Sequence, residues 1–213
     1  MVPRAPEGTE PIDLRAMFPG HTGPIELDIG FGRGASLFER AEAAPTSAIL
    51  GVEVKTKCVF QVEERRTKYG LDRIRVLATD VRALLPRLVP DASLARVFVH
   101  FPDPWWKKRH QHRMVVGDAL LEQLCRLLVP GGDLYIQTDV EDRANEYVAA
   151  VRACPDLVLA TDSGFIAANP FHARSNRERR ADEDGLPVYR ILAHRRGLAT
   201  QMLDGRCGGA GTR

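Results

Sequence analysis

Short apolar runs alternating with helical segments constrain this chain more than anything else in it. Ile25-Glu-Leu-Asp-Ile29, Ser47-Ala-Ile-Leu-Gly-Val-Glu53, Arg73-Ile-Arg-Val-Leu-Ala78, Leu94–Val99 and Asp133-Leu-Tyr-Ile-Gln-Thr138 each read as a strand of five to seven residues. Between them lie a helical stretch ending near Pro45, a polar-apolar segment from Lys55 to Tyr69 closed by Gly70, and a short helix over 81–88. Val116, Leu120, Leu121, Leu124, Leu127 and Leu128 then recur at helical spacing. Strands that alternate with helices are joined by crossovers, so the chain predicts βαβ units and a doubly wound, mostly parallel α/β sheet. Pro130-Gly131-Gly132 is expected to stop the fourth helix and turn the chain into the fifth strand.

Past Glu141 the pattern predicts a helix to Ala153, a strand at Leu157–Ala160, an irregular basic segment, and a closing antiparallel strand at Leu186–Leu192. Residues 1–23 hold four prolines and little periodicity and read as an irregular arm. One domain is expected over 24–196, with a disordered glycine-rich tail over 197–213. The start carries prolines and acids where a signal peptide needs an apolar core. No apolar run reaches the roughly 18–20 residues of a membrane span. Cys58, Cys125, Cys154 and Cys207 show no paired spacing, so reduced thiols in a cytoplasmic protein are expected. The net charge is only +2, which means any nucleic-acid footprint must come from local clustering.

Asp28-Ile-Gly-Phe-Gly-Arg-Gly34 is a glycine-rich turn from strand to helix, where Gly30 and Gly32 let the backbone approach a ligand. The spacing from Gly30 also fits G-x-G-x-x-A, so a dinucleotide site competes. Asp28 separates the two readings: its carboxylate would repel a pyrophosphate and attract the sulfonium and ammonium of S-adenosylmethionine. Glu53, ending the second strand, is placed for ribose hydroxyls, and Asp80, past the third strand, for an adenine amino group. A capping role competes at each acid taken singly. Three acids at three adjacent strand ends favour the cationic ligand.

The fourth strand runs into Phe101-Pro-Asp-Pro-Trp-Trp-Lys-Lys-Arg-His110. Pro102 and Pro104 stiffen the turn that presents Asp103. Two indoles for stacking and the cations Lys107, Lys108, Arg109 and Arg113 follow at once, a combination suited to a nucleobase and its phosphates. A second basic cluster lies at Arg174, Arg177, Arg179 and Arg180. Ser175 with Glu178 three residues on also fits a helix capping box. His100, His110 and His112 lack a completing Cys or acid pair, so no metal is expected.

Taken together, Leu27–Gly34, Gly51-Val-Glu-Val54, Thr79-Asp80, Phe101–His110, Pro130–Gly132 and Thr138-Asp139 resemble the bacterial tRNA (guanine-N7-)-methyltransferase family. The resemblance runs in order from about residue 24 to 195. It implies a Rossmann-like class I methyltransferase and S-adenosylmethionine contacts at Asp28, Gly30, Gly32, Glu53, Asp80 and Asp103. It implies Asp103 as the active-site acid, and tRNA contacts at Lys107, Asp139, Ser175, Asn176, Arg177 and Glu178. The implied reaction is methylation of guanine N7 at position 46 of the variable loop. Family members usually carry Glu at the position of Asp28 and Thr at that of Ser175, and acidic Asp182-Glu-Asp184 replaces a glycine-rich stretch. The competing functions are an exocyclic-amine nucleic-acid methyltransferase, whose motif resembles Asp103-Pro104-Trp105, and a non-catalytic RNA-binding protein.

Overall fold

The structure, a computed structural model, describes residues 1–103 and 116–197. The expected disordered tail over 197–213 therefore lies outside the described residues from residue 198 onward. Nine strands are described: β1 (Ile12–Asp13), β2 (Ile25–Ile29), β3 (Ala48–Glu53), β4 (Ile74–Ala78), β5 (Leu88–Val89), β6 (Leu94–His100), β7 (Leu128–Thr138), β8 (Leu157–Leu159) and β9 (Tyr189–Arg195). The helices are α1 (Ala35–Ala43), α2 (Thr56–Lys68), α3 (Val81–Leu84), α4 (Asp118–Leu127), α5 (Glu141–Ala153) and α6 (Asn176–Glu183). Seven strands form one sheet in the order β4-β3-β2-β6-β7-β9-β8. The first five are mutually parallel, whereas β9 runs antiparallel to both its neighbours. The chain reverses its winding between β2 and β6, which makes their carboxyl ends the topological switch point of the sheet.

Strand periodicity decides what each face of the sheet holds, because residues in register across parallel strands point the same way. Leu27, Val97, Leu134 and Ala193 lie in one register row, all at most 1% exposed. Their face joins the main core with Leu84, Leu121, Leu124 and Val151 from α3, α4 and α5. The opposite face is divided. Ile49, Ile74 and Val76 meet Leu37, Phe38, Val59 and Val62 of α1 and α2. Further across, Glu26, Arg96 and Asp133 stand in one row and Asp28, Phe98 and Tyr135 in the next.

These charges are buried because they are matched. Glu26 is fully buried and accepts from Arg40 at 2.7 and 2.8 Å, from Ser47 at 3.0 Å and from Arg96 at 2.9 Å. Burial raises the Glu26 carboxyl, but the hydrogen bonds and charges of Arg40 and Arg96 outweigh it and leave it below the ordinary value.

The structure departs from the sequence reading in several places: the segment read as irregular and basic contains α6, and the closing strand β9 runs Tyr189–Arg195, three residues later than expected. Residues 1–23, read as an irregular arm, are tied to the domain: β1 pairs with β5, Ala78 N–H donates to Pro3 O, and Leu14 and Phe18 join the main core at 0% and 4% exposure. Their short apolar insertions are too sparse to show a period. Pro130-Gly131-Gly132 does not precede the fifth strand but lies within β7, as a shift in register between Leu94 and Arg96. Gly132 is needed there, since a Cβ would stand 2.9 Å from Val129 O and 3.0 Å from Ala95 O.

Candidate active site

A cleft of about 970 Å³ opens at the switch point. Its wall is assembled from the glycine loop after β2, the ends of β3 and β4, the Val99–Asp103 segment ending β6, Asp139 and Val140 after β7, and the start of α6. Of the residues expected to act, Gly30, Gly32, Glu53, Asp80, Asp103, Asp139, Ser175, Asn176 and Arg177 line it. Asp28 and Glu178 do not. Lys107 and the remainder of the Trp-rich motif lie outside the described residues.

Each acid reaches its place for a local reason. Glu53 ends β3 with Oε2 accepting from Gly32 N–H at 3.0 Å and Oε1 from Lys55 N–H at 2.9 Å, so it ties the glycine loop to the start of α2. Asp80 caps α3, accepting from Arg82 N–H at 2.9 Å. Hydrogen bonds from the Arg82 guanidinium and backbone hold its carboxyl below the ordinary range against partial burial. Asp80 thus caps a helix, as one reading expected, and also lines the cleft. Asp103 is exposed at the lip. Between it and β6, Phe101 has φ 49°, a conformation bulky residues rarely adopt, and its N–H is held by Gln137 O at 2.8 Å.

Asp28 differs from the expectation that it faces the ligand directly. It sits on the central strand and points to the face under α1, 2% exposed, with Oδ2 accepting from Ser36 Oγ at 2.8 Å. Oδ1 is buried with no hydrogen-bond partner. Burial pushes this carboxyl above the ordinary range, against the opposing influence of His100 and the Ser36 hydroxyl. An uncompensated acceptor at the root of the glycine loop fits a cation bound above it. Gly30 and Gly32, at φ 74° and 56°, have nothing within 4 Å of where a Cβ would stand, so the backbone is bare toward a ligand. The donor set therefore fits S-adenosylmethionine and not a pyrophosphate.

Glu178 is a second departure. It lies in the first turn of α6, 1% exposed, and its Oε1 accepts from Arg190 Nη2 at 3.0 Å and Nε at 3.2 Å. It seats the helix beneath the cleft wall and does not reach the cleft. Ser175 caps α6 as expected, its Oγ accepting from Glu178 N–H at 3.1 Å. The second basic cluster is largely matched within the chain: Arg177 pairs with Asp139, Arg179 with Glu39, and Arg174 with Asp182 at 3.8 Å. Arg180 lines the cleft, exposed, without an acidic partner among the described residues. Sequence reading did not single out Arg33, Lys55, Arg82 or His100 as cleft residues. Their signal was weak, since each simply stands within four residues of a strand end or a glycine.

Residues 22–191 match the family described as "Putative methyltransferase". A tRNA (guanine-N(7)-)-methyltransferase of Anaeromyxobacter dehalogenans is 40% identical over 179 residues, covering 84% of this chain and 89% of that protein. The chain belongs to the tRNA (guanine-N(7)-)-methyltransferase family. Solved structures agree on the fold. The 16S rRNA methyltransferase KamB superposes with a TM-score of 0.60 at 14% identity, covering 86% of this chain and 92% of that one. A Streptococcus mutans methyltransferase solved with S-adenosylhomocysteine gives 0.53 at 9% identity, covering 84% and 94%. This member of the tRNA (guanine-N(7)-)-methyltransferase family places its glycine loop at the carboxyl end of an inner parallel strand. No helix among the described residues is long and apolar enough to cross a membrane.

Proposed function

We propose that this chain transfers the methyl group of S-adenosylmethionine to N7 of a guanine in tRNA, at position 46 of the variable loop, as a cytoplasmic enzyme. The observation that carries the reading is the one cleft in which Glu53, Asp80 and Asp103 converge over bare Gly30 and Gly32, with the unpartnered Asp28 oxygen beneath. S-adenosylmethionine supplies a methyl carbon made electrophilic by its sulfonium. Gly30 and Gly32 admit the donor, Glu53 accepts from its ribose hydroxyls, and Asp80 accepts from its adenine amino group. Asp28 offsets its positive charge from below.

Guanine N7 is a bare acceptor, so attack needs no prior removal of a proton. The chain's contribution is then alignment and charge. Asp103, stiffened by Pro102, accepts from the guanine N1–H and amino group and stabilises the positive charge that develops on the ring. Asp139, Ser175, Asn176 and Arg177, on the far wall, together with Lys107, hold the tRNA. Incubation with labelled S-adenosylmethionine and bulk tRNA, followed by nucleoside analysis, is expected to yield 7-methylguanosine. Recovery of N6-methyladenine alone would overturn the N7 assignment. Asp103→Ala is expected to lower kcat/KM by about 100-fold or more, in the range of a removed transition-state electrostatic contact. Unimpaired transfer by that variant would remove Asp103 from the site.

A further inference from the structure

We propose that His100 is a positioning residue for the methyl donor, an imidazole on the cleft floor whose protonation selects against the sulfonium. The proposal rests on the cleft being the donor site. His100 is the last residue of β6, 8% exposed, and lines the cleft. Its orientation is fixed on three sides. The ring stacks on Phe98 at 5.8 Å and 5°, meets Tyr135 edge-on at 6.0 Å, and its Nδ1 lies 2.7 Å from Gln137 Oε1.

An amide oxygen only accepts, so Nδ1 must carry the proton there and Nε2 is left with the lone pair. Gln137 is itself fully buried and stands in register with His100 on the neighbouring strand. Any further proton is therefore taken at Nε2, the ring nitrogen with no hydrogen bond among the described residues. The chain spends a buried glutamine on holding one tautomer, more than a space-filling role requires.

The groups facing this imidazole are mostly acidic. Asp28 lies on the same face from β2, and its carboxyl responds to the His100 charge. Glu53 ends β3, Asp103 follows on the same loop, and Asp139 follows β7, where Arg177 matches it. Tyr135 stands beside the ring from β7, and Arg33 borders the cleft from the glycine loop. With His100 neutral, Asp28 keeps an unpartnered oxygen for the donor's positive charge. With His100 protonated, its charge satisfies Asp28 and opposes the sulfonium. S-adenosylhomocysteine, a neutral thioether at the same position, does not meet that opposition.

The test is calorimetric titration of both ligands between about pH 8 and about pH 5.5, the range in which histidines gain a proton. For the unmodified chain, the ratio of the S-adenosylmethionine Kd to the S-adenosylhomocysteine Kd is expected to rise about tenfold across that interval. His100→Gln is expected to keep S-adenosylhomocysteine binding at the upper pH and to flatten the ratio, with His100→Asn as the second variant should the first not fold. Asp28→Asn is expected to retain the rise, which separates titration of the imidazole from titration of the acid. A ratio that stays flat in the unmodified chain, a full rise in His100→Gln, or its loss in Asp28→Asn would each overturn the role of His100. Failure of the unmodified chain to bind either ligand would instead sink the reading of the cleft as a donor site.

Discussion

Asp28 places a carboxyl where the fold disfavours a charge. Its folded carboxyl titrates above the ordinary 3.8, so the folded state takes up a proton before the unfolded state does. Whenever it is ionised the group costs stability, and that cost is relieved as pH falls through the raised folded value. Glu26, four-fold hydrogen-bonded two residues earlier, has the opposite sign: its depressed carboxyl contributes stability above the ordinary 4.5 that is lost on further acidification. Two acids on one face of one strand thus differ in whether arginines meet them: Arg40 and Arg96 meet Glu26, and Ser36 alone hydrogen-bonds the Asp28 carboxylate among the described residues. Asp28→Asn is expected to raise Tm by about 2–4 °C, the response of a chain this size to about 1 kcal/mol. It should also weaken S-adenosylmethionine binding by about tenfold. Calorimetric scans beside ligand titrations check this, and a fall in both quantities would mean the acid is simply structural. The sequence marked Asp28 through its place before the glycines. It did not tell that the side chain lies below the cleft, because that depends on the helix packed over β2.

Among the elements, α6 shows how a binding wall is seated. Its first turn gives Asn176 and Arg177 to the cleft while Glu178, one residue on, turns inward to Arg190 of β9. The helix is short and strongly polar, so its own propensity gives it little stability and its anchors decide where it sits. Glu178→Ala leaves a mostly buried guanidinium unmatched and is expected to lose about 3–5 kcal/mol. Ser175→Ala removes one cap and should lose about 1 kcal/mol. Urea denaturation of the two variants distinguishes them, and equal losses would deny Glu178 its anchoring part. The cap was legible, since Ser175 and Glu178 have capping spacing. The inward turn was not: Glu178 meets an arginine twelve residues away on another strand, and no local pattern carries that pairing. The five parallel strands were legible to within a residue or two, apart from β7, which starts at Leu128 because its glycines bulge instead of ending a turn.

At the scale of the whole molecule, a net charge of +2 must support an RNA interface, and the structure narrows where the usable charge lies. Arg179 is committed to Glu39, whereas Arg180 faces the cleft unpaired among the described residues. Replacing Arg180 by Ala is expected to reduce the slope of log K against log salt for tRNA by about one, and replacing Arg179 to leave it unchanged. Filter binding across a salt series measures both, and a larger change at Arg179 would refute the partition. By itself the sequence determined the order of elements, the parallel sheet and the acids that mark strand ends. These follow from local periodicity and from residues adjacent along the chain. Only the tertiary structure decided that Ile12, Leu14 and Phe18 join the core, that Asp28 and Glu178 lie behind the cleft wall, and that His100 is held by Gln137 on its floor. Those facts depend on which side chains meet across strands and helices far apart in sequence, where the chain's own order is silent.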